Sequence, residues 1–230
     1  MTWDEFDRGN RRRSRRTFFW LVVLAFALTA VLMISPVFGQ FNLGAMDVYR
    51  VIVDGLLGRD IPWRLEQVVW NTRLPTAVTA VLVGFGLGMC GALMQTLMRN
   101  PLADPYTMGV SSGASLGAAL FFVLGISVVP GLQGDVAMMA NAFLMSMIPT
   151  GVMLVITVFR RMTTTAIILS GVAVMYVFSA MTSFLMLIAD PTQLSEVYIW
   201  NLGSVGRGEW GNMTMFLVPV MVLSLIHISE

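Results

Sequence analysis

Lysine is absent from this sequence, and all 14 of its basic residues are arginines. A Walker A loop places a lysine on the β- and γ-phosphates of its nucleotide, and Schiff-base catalysis uses a lysine amine. The chain is therefore not expected to hydrolyse ATP by the P-loop route or to form imines with carbonyl substrates.

Cysteine and histidine are nearly absent, with Cys90 and His227 as the only representatives. A disulfide needs a second cysteine, and a zinc cage needs about four Cys or His ligands, so one chain can build neither. Cys90 lies in an apolar run, where a lone thiol packs as a small hydrophobic group. We expect no resident metal and no other cofactor.

Charge is also scarce. Charged residues make up 12% of the chain and hydrophobic residues 57%, whereas an ordinary soluble domain carries roughly 25% charged residues. The formal net charge is only +1, so nothing indicates a nucleic-acid partner. The composition predicts an integral membrane protein whose surroundings are lipid.

Uncharged apolar runs predict about six membrane-spanning helices, since a helix needs roughly 20 residues to cross the bilayer core. The runs cover residues 18–34, 76–98, 110–126, 136–159, 164–189 and 213 onward. We predict an all-α, polytopic transmembrane helical bundle at residues 18–230, preceded by a basic N-terminal segment at 1–17. The last residues stop in mid-span, so we expect an incomplete domain.

Basic residues fix the predicted orientation, because they concentrate on the cytoplasmic side of membrane proteins. The cluster at 11–16, Arg99 and the pair at 160–161 all fall on one face after alternating spans. The N-terminus is therefore predicted to be cytoplasmic. Residues 37–75, with a surface helix, and 190–211 are predicted to be external. Asn100 and Asp104 each precede a proline, which predicts two closely spaced helix starts on the inner face.

Glycines in the second span spell the dinucleotide fingerprint, Gly86-x-Gly88-x-x-Gly91. That motif requires a strand before it and a solvated turn at it, which an apolar span does not provide. The alternative is a small-residue face that lets another helix approach closely, formed by Gly84, Gly88 and Ala92. The same reasoning applies to Ser112, Ser115 and Ala119 in the next span.

Acidic residues are missing from every predicted span. An ion-coupled carrier would be expected to bury a carboxylate relay within its helices. Their absence weakens that hypothesis and indicates that energy comes from a partner.

Several blocks resemble the permease family of ATP-driven importers for iron siderophores, haem and vitamin B12. The most specific is GALMQTLMRNPLADPYTMGVSSGASLGA at residues 91–118, preceded by Arg73-Leu74-Pro75. Weaker matches follow at 169–173, 189–191 and 200–204.

The resemblance implies a permease subunit in the inner (plasma) membrane that supplies a path and gates. Its implied partners are cytoplasmic ATPase subunits, an extracytoplasmic substrate-binding protein and a second permease subunit, identical or paralogous. Iron siderophore is the favoured cargo, followed by haem and cobalamin.

The same resemblance implies roles for individual residues. Arg73 matches an external arginine that pairs with a carboxylate of the binding protein, although Thr76 replaces the family's usual second arginine. The cytoplasmic gate is expected at Asn100, Leu102, Thr164 and Thr165.

Two other hypotheses remain open. One is a secondary transporter driven by an ion gradient. The other is a truncated, non-transporting membrane fragment, inert or inhibitory, because the family continues through a coupling loop and further spans. For that reason the 230-residue chain alone is not expected to couple ATP hydrolysis to transport.

Overall fold

The computed structural model describes residues 3–39, 41–160, 163–206, 210–213 and 217. All regular elements in these residues are helical, which confirms the all-α prediction. The α-helices are α1 (Trp3–Ile34), α2 (Ala45–Leu56), α3 (Trp63–Val68), α4 (Leu74–Met98), α5 (Val110–Leu124), α6 (Gly134–Arg160), α7 (Thr164–Ile188) and α8 (Pro191–Leu202). Tighter 3₁₀ turns occur at Ser35–Val37, Pro105–Met108 and Trp210–Asn212, and a wider π-turn at Val69–Arg73.

Among the described residues, four helical stretches are long and apolar enough to cross a membrane: Ser14–Val37, Trp63–Met98, Gly134–Phe159 and Thr165–Ile188. They correspond to four of the predicted spans. At 15 residues, α5 is about 22 Å long and shorter than the roughly 30 Å hydrocarbon core. The sixth predicted span lies almost entirely outside the described residues.

By its internal contacts the chain divides into two compact units, with the boundary inside α4. In the described residues, the first unit runs to Gly84 and includes 205–206, 210–213 and 217, and the second begins at Phe85 and ends at Ser204.

The first unit has a small core beneath α2. Val48 and Val51 of α2 are buried against Val69 of the π-turn. Helix α2 is amphipathic, with its polar residues on the other face, as predicted for a surface helix between residues 37 and 75.

The second unit is built around α5, which packs against α6 and α7. Its core includes Leu116 and Ala119 of α5, Leu185 of α7 and Val197 of α8. The short central helix is thus the best buried element of the unit.

Two glycines let α5 and α6 approach closely. An ideal Cβ at Gly113 would lie 2.7 Å from the carbonyl oxygen of Met145, and one at Gly117 would lie 2.5 Å from that of Asn141. Pro149 lacks the N–H that would normally donate to the carbonyl of Met145, so this oxygen has no i+4 donor in its own helix and lies against Gly113. The proline of α6 and the glycine pair of α5 therefore lie at the same helix contact.

Asn141 is a fully buried polar residue within α6. Its Oδ1 accepts the N–H of Val128 at 2.7 Å, and its Nδ2 donates to the carbonyl of Ile126 at 2.6 Å. The amide thereby satisfies the backbone of the loop that joins α5 to α6.

The predicted packing face on α4 has a different environment. A Cβ at Gly84 or Gly88 would meet no described atom within 4 Å outside its own helix, and Ala92 is exposed. Close helix approach occurs instead at Gly113 and Gly117, where backbone carbonyls of α6 would collide with a Cβ. Packing at Gly84, Gly88 and Ala92 stays a prediction.

Alanine substitution should change the free energy of unfolding in opposite directions at these two sites. We expect Gly117→Ala to lower the free energy of unfolding by about 1–3 kcal/mol, because its Cβ collides with backbone. Gly84→Ala should instead raise it by up to about 1 kcal/mol through helix propensity. Titration of the purified chain with SDS, followed by circular dichroism, measures both. A destabilising Gly84→Ala would show that a helix packs there after all.

Candidate functional site

The turn after α4 is the first half of the predicted gate. Arg99 has a left-handed backbone with φ of 48°, which ends the helix. Asn100 Oδ1 then accepts the N–H of Leu102 at 3.0 Å. This side-chain contact closes a turn, so Asn100 does not begin a helix as predicted.

The second predicted helix start is correct. Asp104 Oδ1 accepts the N–H of Tyr106 at 2.8 Å and caps the 3₁₀ turn Pro105–Met108. Gly109, at φ 79°, redirects the chain from this turn into α5. A left-handed residue is needed there, and glycine adopts that conformation without strain.

The other half of the predicted gate is at the start of α7. Thr163 Oγ1 accepts the N–H of Ala166 and caps the helix, so Thr164 and Thr165 occupy its first turn. Further along α7, a Cβ at Gly171 would lie 2.5 Å from the carbonyl oxygen of Thr107. The 3₁₀ turn therefore packs directly on α7, and both halves of the predicted gate belong to one packed unit.

Exposure distinguishes the gate residues. Leu102 is 84% exposed, Thr165 is exposed and Asn100 is half-buried. Leu102 and Thr165 thus present free surface on this chain, which a gate shared with a second subunit requires. Their gating role stays a prediction.

Arg73 was predicted to be external and available for docking, but its guanidinium is buried, with 8% of the residue exposed. Nη1 donates to the carbonyls of Pro36 at 2.8 Å and Val37 at 3.1 Å, and Nη2 donates to that of Phe41. Arg73 therefore joins the segment after α1 to the start of α4. This segment follows a helix end, where carbonyls lack partners within the helix.

A pair of tryptophans stabilises the same π-turn. The carbonyl of Trp70 would normally accept the N–H of Leu74 or of residue 75. Leu74 donates its N–H to the carbonyl of Val69 instead, and Pro75 has no N–H, so the Trp70 carbonyl lacks both donors. The indole N–H of Trp210 donates to that carbonyl at 2.6 Å. Trp70 in turn donates its own indole N–H to the carbonyl of Val51 at 3.1 Å.

Sequence reasoning missed these structural residues. The available signals were Pro75 directly after a tryptophan-containing turn and Asn141 inside an apolar span. The Gly113-x-x-x-Gly117 spacing was a third signal. Within the described residues, no three His, Cys, Asp or Glu side chains are grouped closely enough to hold a metal ion.

Substitution of Arg73 separates an internal role from a docking role. Arg73→Met should lower the free energy of unfolding of the isolated chain by at least about 2 kcal/mol, because three carbonyls lose a charged donor. Arg73→Lys should lower the free energy of unfolding by an intermediate amount, since an ammonium group cannot reproduce the planar arrangement of guanidinium donors. The exposed Arg64→Met control should change stability by less than about 0.5 kcal/mol. An SDS titration in which Arg73→Met equals wild type would leave only a docking role.

The chain is similar in sequence to permeases of known import systems. The chain is 30% identical over 213 residues to the hemin transport system permease HmuU of Yersinia pestis, covering 91% of this chain and 62% of HmuU. It is 29% identical over 215 residues to the molybdate import system permease MolB of Haemophilus influenzae, covering 90% of this chain and 61% of MolB. This chain thus spans about three fifths of the length of these relatives.

The fold is similar to that of a solved structure. It is an inward-facing conformation of a metal-chelate type ABC transporter, matched with a TM-score of 0.71 at 27% identity. The match covers 91% of this chain and 61% of that one. The FecCD transport family matches residues 24–229, and the chain is therefore a member of the FecCD transport family of ABC transporter permeases.

Proposed function

We propose that this chain is the membrane-spanning permease subunit of an ATP-driven importer for iron chelates in the inner (plasma) membrane. Family membership supports the transport role, and its relatives are named for haem and molybdate import. Siderophore is the preferred cargo, with haem and cobalamin as alternatives. The proposed partners are cytoplasmic ATPase subunits, an extracytoplasmic binding protein and a second permease subunit.

The inner turn is the observation that carries this proposal. Arg99, Asn100 and Asp104 shape it through a left-handed residue and two side-chain caps, and Leu102 projects from it, 84% exposed. Because Gly171 seats the following 3₁₀ turn on α7, a movement of α7 would carry the turn with it.

In the proposed mechanism, the permease alternates between two access states and its partners set their populations. Leu102 and Thr165, with their counterparts on a second permease subunit, would narrow the cytoplasmic end of the path. Asn100 holds the turn backbone so that Leu102 stays directed outward. ATP binding and hydrolysis on the partner subunits would drive the switch.

The buried position of Arg73 changes the proposed docking. Pairing with a carboxylate of the binding protein would require the guanidinium to leave three carbonyls. Docking through Arg73 therefore stays a prediction that requires this rearrangement, and the exposed Arg64 offers an additional positive charge nearby in the sequence. An exposed ion pair of this kind contributes only about 0–1 kcal/mol.

Uptake measurements test the energy source. Because the 230 residues alone are not expected to couple ATP hydrolysis to transport, cells that lack their own permease of this family would express the complete reading frame that contains this chain. They would receive ⁵⁵Fe-labelled ferric siderophore, with haem, cobalamin and molybdate as parallel cargoes. We expect uptake that stops on ATP depletion and persists when an uncoupler collapses the ion gradient. Leu102→Trp should reduce uptake at least about tenfold by obstructing the path, whereas Leu24→Trp, at an exposed position of α1 far in sequence from the gate and from the docking segment, should not.

Two outcomes would contradict the proposal. Uptake abolished by the uncoupler but insensitive to ATP depletion would identify a secondary transporter. Absence of flux with either energy source, in cells that contain the chain in their membrane, would favour the non-transporting fragment.

A further inference from the structure

The first unit contains a cavity of about 670 Å³ between α2 and the π-turn, a volume in the range of ligand sites. None of the residues discussed as gate or docking groups lines it. Its lining consists of Gly55, Gly58, Arg59, Asp60, Ile61, Glu66, Trp70, Asn71 and Trp210.

Two tryptophans line this cavity, and neither has a free indole N–H. Both indole N–H groups are already engaged, that of Trp70 with Val51 and that of Trp210 with Trp70. The same bonds hold the rings in place. The face of an indole ring attracts cations, so these two side chains can contribute to binding a positive group.

The charged groups of the lining give it a negative balance. Arg59 is paired with Asp54 at 3.0 Å, so its positive charge is largely neutralised. The exposed carboxylates of Asp60 and Glu66 have no ion pair with a described residue. Asn71 adds an amide that can accept a hydrogen bond. Aromatic rings with uncompensated carboxylates favour a guanidinium or ammonium group.

We propose that this cavity receives a basic side chain, arginine or lysine, of the docked extracytoplasmic binding protein. The identity of the partner rests on the proposed function, and the chemistry of the cavity does not. Charge complementarity supports this occupant, since the partner's basic group would meet two free carboxylates. Asp60, Glu66 and Trp210 are exposed, so a free cation would bind weakly there. A side chain brought by a docked protein has a much higher effective concentration.

The glycines of the lining support the shape of the site. A Cβ at Gly55 would collide with the indole of Trp70, so only glycine lets that ring lie against α2. Gly58, at φ 68°, turns the chain after α2 and leads it to Asp60. The sequence Gly-x-x-Gly at 55–58 thus builds one wall of the cavity.

The test uses ¹⁹F NMR of the full chain in nanodiscs, labelled with 5-fluorotryptophan at its 6 tryptophans. Trp70→Phe and Trp210→Phe assign the two cavity resonances. Ethylguanidinium chloride is the probe and ethylurea its neutral isostere, at constant chloride concentration. We expect both cavity resonances to shift saturably with ethylguanidinium, with half-saturation on the order of 10–100 mM, and not with ethylurea.

Charge variants provide the matched control. Asp60→Asn combined with Glu66→Gln should weaken the response roughly tenfold, whereas Asp135→Asn, an exposed carboxylate of the second unit, should leave it unchanged. Equal shifts with ethylurea, or no effect of the double variant, would overturn the proposal. Saturation below about 0.1 mM would overturn the assignment to a docked side chain and indicate a receptor for a free cation. The titration requires neither ATPase nor cargo, so its failure is distinguishable from failed uptake.

Discussion

Backbone groups that a helix cannot satisfy must find partners inside the protein, because lipid offers none. Much of this structure follows from that constraint. Pro75 and Pro149 each remove a helical donor. The carbonyl of Trp70 accepts the indole N–H of Trp210 instead, and the carbonyl of Met145 lies close to Gly113, where no side chain obstructs it. Arg73 meets the same need for the segment after α1.

The polar residues of the described chain are used accordingly. Arg73 and Asn141, which would be candidates for chemistry by their burial alone, are bonded to backbone carbonyls and amides. Asp104 and Asp190 cap helical turns. These four side chains are therefore committed to the chain's own backbone.

The sequence allowed the membrane helices to be predicted, because long uncharged runs have few other stable states in a chain of this composition. The Asp104 cap was also predictable, since it depends on residues next to it in the chain. Close packing was harder to place: α4 and α5 both carry small residues at the required spacing. The two helices differ because the backbone of α6 lies close to the small residues of α5. The sequences of α4 and α5 do not show where a third helix will lie.

Arg73 illustrates a second limit of sequence reasoning. A charged residue at the start of a span is normally exposed, and a resemblance to docking arginines supported that interpretation. Its hydrogen-bond partners are carbonyls 32–37 residues earlier, and backbone groups leave no trace in the side-chain pattern. The Trp70–Trp210 contact spans 140 residues and is equally invisible to local patterns.

The proposed gate and the proposed docking face must lie on opposite sides of the membrane. The turn after α4 must face the cytoplasm, and the segment that carries the cavity must face outward. Labelling with an impermeant maleimide tests this in a Cys90→Ala background, using Leu102→Cys and Leu57→Cys, which replace residues 84% and 60% exposed. We predict that Leu102→Cys is labelled only in inside-out vesicles and Leu57→Cys only in right-side-out vesicles. Labelling of both from one side, or in the reverse order, would contradict the proposed gate and docking face together.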